Sequence, residues 1–167
     1  MFVQMRDADF DRLYRREAQG LYGFLAYRTG DRALAEDLLA DTFERALRAR
    51  RGFDRRRGTE RNWLYAIALN LLRDHARRAA TEGRAVERVR SGAPLSAEPT
   101  ADGVERRDEL QRALAGLADE EREAIALRFG AELSNPEIAE VLGESLTTVE
   151  GRVYRALRKL RERLEPG

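Results

Sequence analysis

Residues 134–164 read SNPEIAEVLGESLTTVEGRVYRALRKLRERL, and the fold is decided here. Ser134 and Glu137 stand in capping-box spacing, and Pro136 falls in the first turn, where its missing N–H breaks no helical bond. Ile138, Ala139 and Leu142 give a short helix one apolar face, and Gly143 ends it. From Leu146 the apolar positions Val149, Val153, Ala156, Leu157 and Leu160 recur at helical spacing as far as Leu164. A short helix, a glycine turn and a longer arginine-bearing helix form the layout of a helix-turn-helix. Ile138, Ala139 and Leu142 then pack on Val149 and Val153, and small Ala139 lets the two helices cross closely. Thr148, Arg152, Arg155 and Arg158 point away from that packing.

The same periodicity runs outward through the chain. Phe10, Leu13, Tyr14, Leu21, Phe24 and Leu25 stripe a first helix that stops near Gly30. Leu34, Leu38, Leu39, Phe43, Ala46 and Leu47 stripe a second that starts near Asp31, and Trp63, Leu64, Ile67, Ala68, Leu71 and Leu72 a third. Leu110, Ala113, Leu114 and Leu117, then Ile125, Leu127 and Phe129, continue the pattern before residue 134. No segment alternates with period two, so the expected fold is all-α. Residues 83–105 break the pattern with Gly83, Gly92, Pro94, Pro99 and Gly103 among small polar side chains, which reads as a flexible linker. The expected domains are residues 5–82, a helical bundle, and 106–165, a helix-turn-helix domain. Stretched, the linker reaches roughly 75 Å, and as a coil about 26 Å, so two small domains are expected to work at separate points.

Composition narrows the function. The 167 residues hold 31 Lys+Arg and 30 Asp+Glu, a net charge of +1, with 43% hydrophobic side chains. Charge is nonetheless segregated: residues 45–61 hold 8 basic and 2 acidic side chains (+6), 152–163 hold 6 and 1 (+5), and 119–150 hold 2 and 9 (−7). Two separate basic segments suit two contacts with a polyanion. All basic residues but Lys159 are arginine, whose planar fork matches phosphate and guanine, although genomic base composition gives the same bias. Cysteine is absent and His75 is the lone histidine, which excludes disulfides and thiolate zinc sites and leaves no pattern for a metal or a cofactor. Glu120, Glu121 and Glu123 lack a nucleophile, a base partner or a phosphate loop and read as the start of a solvated helix, so no enzyme is expected. No apolar run approaches the ~18–20 residues of a membrane span and no signal peptide is legible, so a cytoplasmic protein is expected.

Three segments carry a family resemblance. Trp63-Leu64-Tyr65-Ala66-Ile67-Ala68-Leu69-Asn70, followed by Asp74, Arg77 and Arg78, resembles a signature of the extracytoplasmic-function (ECF) branch of the bacterial sigma-70 family. Ala35-Glu36-Asp37-Leu38-Leu39-Ala40-Asp41-Thr42-Phe43 is similar to that family's region 2 helix, and residues 135–164 resemble its region 4 helix-turn-helix. The resemblance covers about residues 8–80 and 108–164, in the family's order. It implies an alternative sigma factor that binds core RNA polymerase through the β′ clamp helices and the β flap. Such a factor reads −10 and −35 promoter DNA, and an anti-sigma factor is a further implied partner.

It also assigns residues. Asp37, Leu38, Asp41, Phe43, Glu44 and Arg45 are the implied polymerase-binding set, with simple core packing the alternative for Leu38 and Phe43. Arg55, Arg56, Arg57, Arg61, Asn62, Asn70, Arg73, Arg77 and Arg78 are implied at the −10 element, where a cationic loop captures an unstacked base. Within this set, Asp74 is placed to hold Arg77 or Arg78 by a surface ion pair, and Trp63 packs in the core in preference to stacking on a base. Thr147, Thr148, Glu150, Arg152, Arg155 and Arg158 are implied at the −35 element, early residues on base edges and later arginines on phosphates.

The chain departs from the family pattern at Glu144, where relatives are usually apolar, and at Glu150-Gly151, where they commonly carry a basic and a small polar residue. Glu150 either caps the helix from a Thr147 capping box, weakens DNA binding by repulsion, or accepts from cytosine N4. The competing function is a helix-turn-helix regulator that binds DNA without directing initiation, and the 34–47 helix discriminates between the two.

Overall fold

The computed structural model describes residues 5–82 and 101–165. Within them the chain is helical, with no strand. α1 (Asp7–Thr29), α2 (Arg32–Ala49) and α3 (Glu60–Thr81) form the first domain, with a 3-10 turn at Arg50–Gly52. α4 (Ala101–Ala115), α5 (Asp119–Ile125), a π turn (Ala126–Gly130), α6 (Asn135–Leu142) and α7 (Leu146–Leu164) form the second. α4 begins inside the stretch read as linker, because Val104, Glu105 and their neighbours continue its helical pattern; residues 83–100, the rest of that reading, lie outside the described residues.

Local chemistry sets the boundaries. Gly30 takes the left-handed conformation (φ 64°) after α1, and the Asp31 carboxylate accepts from the Leu34 N–H at 3.1 Å to start α2. Thr59 caps α3 by accepting from the Asn62 N–H at 3.1 Å. The Ser134–Glu137 capping box forms in both directions, at 3.1 and 3.3 Å. Gly143 ends α6 at φ 66°, with no neighbouring atom within 4 Å of where a Cβ would stand. Gly143→Ala is therefore expected to cost about 1 kcal/mol from backbone conformation alone. A urea melt measures it, and an unchanged midpoint would contradict this account of the turn.

The first core is built by the inward stripes of α1, α2 and α3. Leu13, Leu21, Leu25, Leu64 and Tyr65 are fully buried, and the Phe24 and Tyr65 rings meet edge-on at 5.6 Å. In the second domain Leu127, Leu133, Ile138 and Val149 are fully buried, and Ala139 is buried with them. Two arginines close the C-terminal end of α4: Arg122 donates to the carbonyls of Leu114, Ala115 and Leu117, and Arg163 to that of Ala113. Cations at a helix C-terminus satisfy carbonyls that have no helical partner. Lys159, the lone lysine, ties α7 to buried Glu121 of α5 at 2.8 Å.

The two domains do not stand apart in this structure. α3 packs along α6, and α1 touches the π turn. The linker reading allowed separation, but the acidic segment 119–150 lies against a basic face of the first domain, and opposite charge draws the two together.

Candidate nucleic-acid interface

α2 presents two faces. Its inner stripe includes Phe43, which is buried with Phe10 edge-on at 6.2 Å and Tyr14 at 4.8 Å, so Phe43 belongs to the core and leaves the docking set. Leu38 is also buried but lines a groove of about 340 Å³ between α2 and α3, together with Asp41, Arg45, Leu71, His75 and Arg78. Asp37, Asp41, Glu44 and Arg45 are exposed on the outer face. The result is an acidic ridge beside a groove with an apolar residue on each wall, Leu38 on α2 and Leu71 on α3. His75, which the sequence places on the basic helix as a packed or phosphate-near residue, is half-buried in this groove.

The basic loop between α2 and α3 is pinned at both ends. Phe53 is buried and its ring lies 5.1 Å from that of half-buried Trp63, while Thr59 caps α3. Trp63 is thus a packing residue. Between the pins Arg55, Arg56 and Arg57 are exposed. Asp54 accepts from the Arg56 N–H at 3.0 Å, which holds its carboxyl below the usual carboxylate range and shapes the turn. Glu60 takes Arg55 at 3.2 Å and Arg16 at 3.4 Å. Along α3, Asn70, Arg73, Arg77 and Arg78 are exposed, and Asp74 pairs with Arg77, as its spacing suggests.

Arg61 and Asn62 differ from expectation. Asn62 is buried, and its Nδ2 donates to Glu140 Oε2 at 2.9 Å. Arg61 pairs with buried Glu17 at 3.4 Å, donates to the Ala131 carbonyl at 2.6 Å, and lies over the Tyr65 ring at 5.7 Å. Burial pushes the Tyr65 hydroxyl pKa up. Farther along, Glu123 takes Arg73 at 2.7 Å and Arg28 at 3.9 Å. Burial pushes the Arg28 pKa down, and the nearby Glu123 carboxylate opposes that shift. Sequence gives no reading for Arg28, Glu17 and Glu140, and of the carboxylates read as the start of a solvated helix, Glu121 and Glu123 are buried, paired with Lys159 and with Arg73 and Arg28.

On α7, Thr147, Thr148, Glu150, Arg155 and Arg158 are exposed. The N-cap is Ser145, which accepts from the Thr148 N–H at 3.2 Å, so the capping box proposed for Thr147 and Glu150 does not form and Glu150 faces solvent in the second turn. Glu144 finds its reason in Arg152: the two pair at 2.5 Å, and the Arg152 side chain is only 16% exposed. Arg152 is thereby held against the turn, in contrast to free-standing Arg155. The Arg155 guanidinium lies over Gly151, 3.0 Å from where a Cβ would sit.

Sigma-70 region 2 matches residues 13–82, and sigma-70 region 4 matches residues 107–160. The RNA polymerase sigma factor CarQ of Myxococcus xanthus is 35% identical over 93% of this chain and 88% of its own length. YlaC of Bacillus subtilis, also an RNA polymerase sigma factor, is 32% identical over 97% and 95%. The ECF RNA polymerase sigma factor BldN of Streptomyces coelicolor is 34% identical over 95% of this chain, which spans 61% of that longer relative. Among solved structures, CnrH in complex with the cytosolic domain of CnrY superposes with a TM-score of 0.70 at 29% identity, covering 95% of this chain and 89% of that one. The sigma factor RpoE in complex with the anti-sigma factor NepR, from Bartonella quintana, shares the fold (TM-score 0.75, 24% identity, 93% and 96% covered). With both regions in order on one helical chain and relatives matched nearly end to end, the protein belongs to the ECF branch of the sigma-70 family of RNA polymerase sigma factors.

Proposed function

We propose that the exposed ridge of α2, with Asp37, Asp41, Glu44 and Arg45, seats this sigma factor on the clamp helices of core RNA polymerase. The observation that carries the reading is the split character of α2, whose apolar stripe is spent in the core while its charged face stays open. Leu38 adds an apolar contact from the groove wall. Arg55, Arg56 and Arg57 on the pinned loop, with Asn70, Arg73, Arg77 and Arg78 along α3, take the −10 strand, phosphates on the guanidinium groups and an unstacked base at the loop. α7 enters the −35 major groove, with Thr147, Thr148 and Glu150 toward base edges and Arg155 and Arg158 on phosphates. The chain performs no bond chemistry itself; polymerase supplies that.

No helix of the described residues is long and apolar enough to cross a membrane. Action in the cytoplasm, on the nucleoid as part of holoenzyme, follows from the role. A restraining anti-sigma partner is part of the same reading; CnrH, at 29% identity, was solved bound to another protein, the cytosolic domain of CnrY.

The test is reconstitution. Purified chain added to bacterial core polymerase is expected to yield transcripts from promoters selected out of a random library, where core alone yields none. Absence of any association with core would overturn the reading.

A further inference from the structure

We propose that Glu144 decides which arginines of α7 reach DNA: it draws Arg152 off the −35 face and locks it across the turn as a charged staple. This rests on α7 being the −35 helix, and it removes one residue from that helix's contact set.

Arg152 stands where it can go either way. At about 100° per residue, it falls roughly 70° from the middle of the buried stripe formed by Val149, Val153, Ala156 and Leu160, whereas Arg155 and Arg158 fall roughly 130° and 170° away. It therefore flanks the packing of α6 on α7, and its long stem can swing out to a phosphate or back over the turn. Glu144 makes the choice. Its Oε2 lies 2.5 Å from Arg152 Nη1, and the Arg152 side chain is left 16% exposed, while Arg155 and Arg158 stay open. That Oε2 is cut off from solvent and, among the described residues, meets no donor in hydrogen-bonding geometry, so the Arg152 cation is what offsets its charge.

Position explains the residue type. Ser145 is the N-cap of α7, so Glu144 is the residue before the cap. An apolar side chain there packs on the fourth helical residue, here buried Val149, and fixes the angle at which the chain enters the helix. Glu144 reaches farther, to Arg152 two turns into the helix, and holds the same corner by charge. An apolar staple would leave Arg152 free; this one withdraws it. Residues 144–155 hold two acidic side chains (Glu144, Glu150) and two basic (Arg152, Arg155), a net charge of 0, while 156–163 hold four basic and one acidic, +3. The end of α7 that enters the groove is thus electrically neutral, and the positive charge lies in the later turns. Each neutralised phosphate contributes about 0.9 to the salt dependence of duplex binding, so withdrawing Arg152 sets the grip one contact lower.

The experiment uses holoenzyme reconstituted with the full chain. The probe is a fluorescent duplex that carries the −35 sequence of a library-selected promoter and stops short of its −10 element. Binding is followed across salt concentration, with circular dichroism on every variant. Glu144→Leu supplies an apolar staple, so the helices are expected to be retained. It is expected to bind the duplex roughly fivefold more tightly, with a log–log salt slope steeper by about 0.9. Glu144→Leu/Arg152→Ala is expected to return both values to those of the wild type. Arg152→Ala therefore costs much more affinity in the Glu144→Leu background than on its own, the non-additivity expected of a coupled pair. No gain from Glu144→Leu, a gain that persists in the double variant, or an equal loss from Arg152→Ala in both backgrounds overturns the proposal. Arg155→Ala/Arg158→Ala in the same assay tests the parent reading. Weaker binding upholds α7 as the −35 helix, and unchanged binding overturns that assignment and the proposal with it.

Discussion

Reversing charge at Asp37 and Asp41 together, Asp37→Arg/Asp41→Arg, is expected to abolish promoter-dependent initiation by the reconstituted enzyme. Both carboxylates stand exposed on the outer face of α2, away from its buried stripe, so the substitution leaves the fold intact. On the proposed docking face it places two cations where the ridge now carries anions. Like-charge juxtaposition at an interface costs several kcal/mol, and each 1.4 kcal/mol is a factor of ten, so affinity for core falls by about two orders of magnitude or more. Competition against a labelled sigma factor measures the affinity, and circular dichroism verifies the helices. Undiminished core binding would remove α2 as the seat and favour a DNA-binding regulator.

The second large effect concerns stability. Leu64 is fully buried on α3, among the inward stripes of α1, α2 and α3. Leu64→Ala removes three carbons from a packed site and is expected to cost 2–5 kcal/mol, about 3 as a central value. Single domains are stable by only about 5–15 kcal/mol, so this is a large share of the total. Denaturant unfolding followed by helical signal should show a lower midpoint, and a loss below about 1 kcal/mol would mean that α3 is not seated as described.

The helices were legible because their punctuation is local. Gly30, Asp31, Ser134 with Glu137, and Gly143 each act on their own turn, and each acts in the structure as its residue type dictates. The start of α7 at Leu146 agrees with its apolar spacing, and of the three readings open for Glu150 the capping box is the one that does not form. Ser145 and Thr147 are both competent caps, and the choice fell to Ser145, which starts the helix at Leu146. Phe43 was ambiguous because an apolar residue on an amphipathic helix packs against either its own domain or a partner, and only the position of Phe10 and Tyr14 decides. The contacts between domains were illegible. Asn62 and Glu140 are 78 positions apart, and periodicity carries no information about pairs so distant. Segregated charge reads from sequence as contact with a polyanion, and nothing in it points to a contact between the domains. The Glu144–Arg152 pair turns an apparent anomaly into a compensated one, visible only once the turn brings the two side chains together.

The ring pair at the base of the basic loop has a practical consequence. Trp63 is the chain's single tryptophan, lodged against Phe53. Its ultraviolet emission therefore reports on one known spot with no background from other indoles. The sequence also has no native thiol, so one cysteine introduced at Tyr154, 67% exposed on α7, accepts a dye at a single site. Energy transfer from the indole to that dye would follow the distance between the two halves of the molecule in real time, from free solution to the moment of promoter capture.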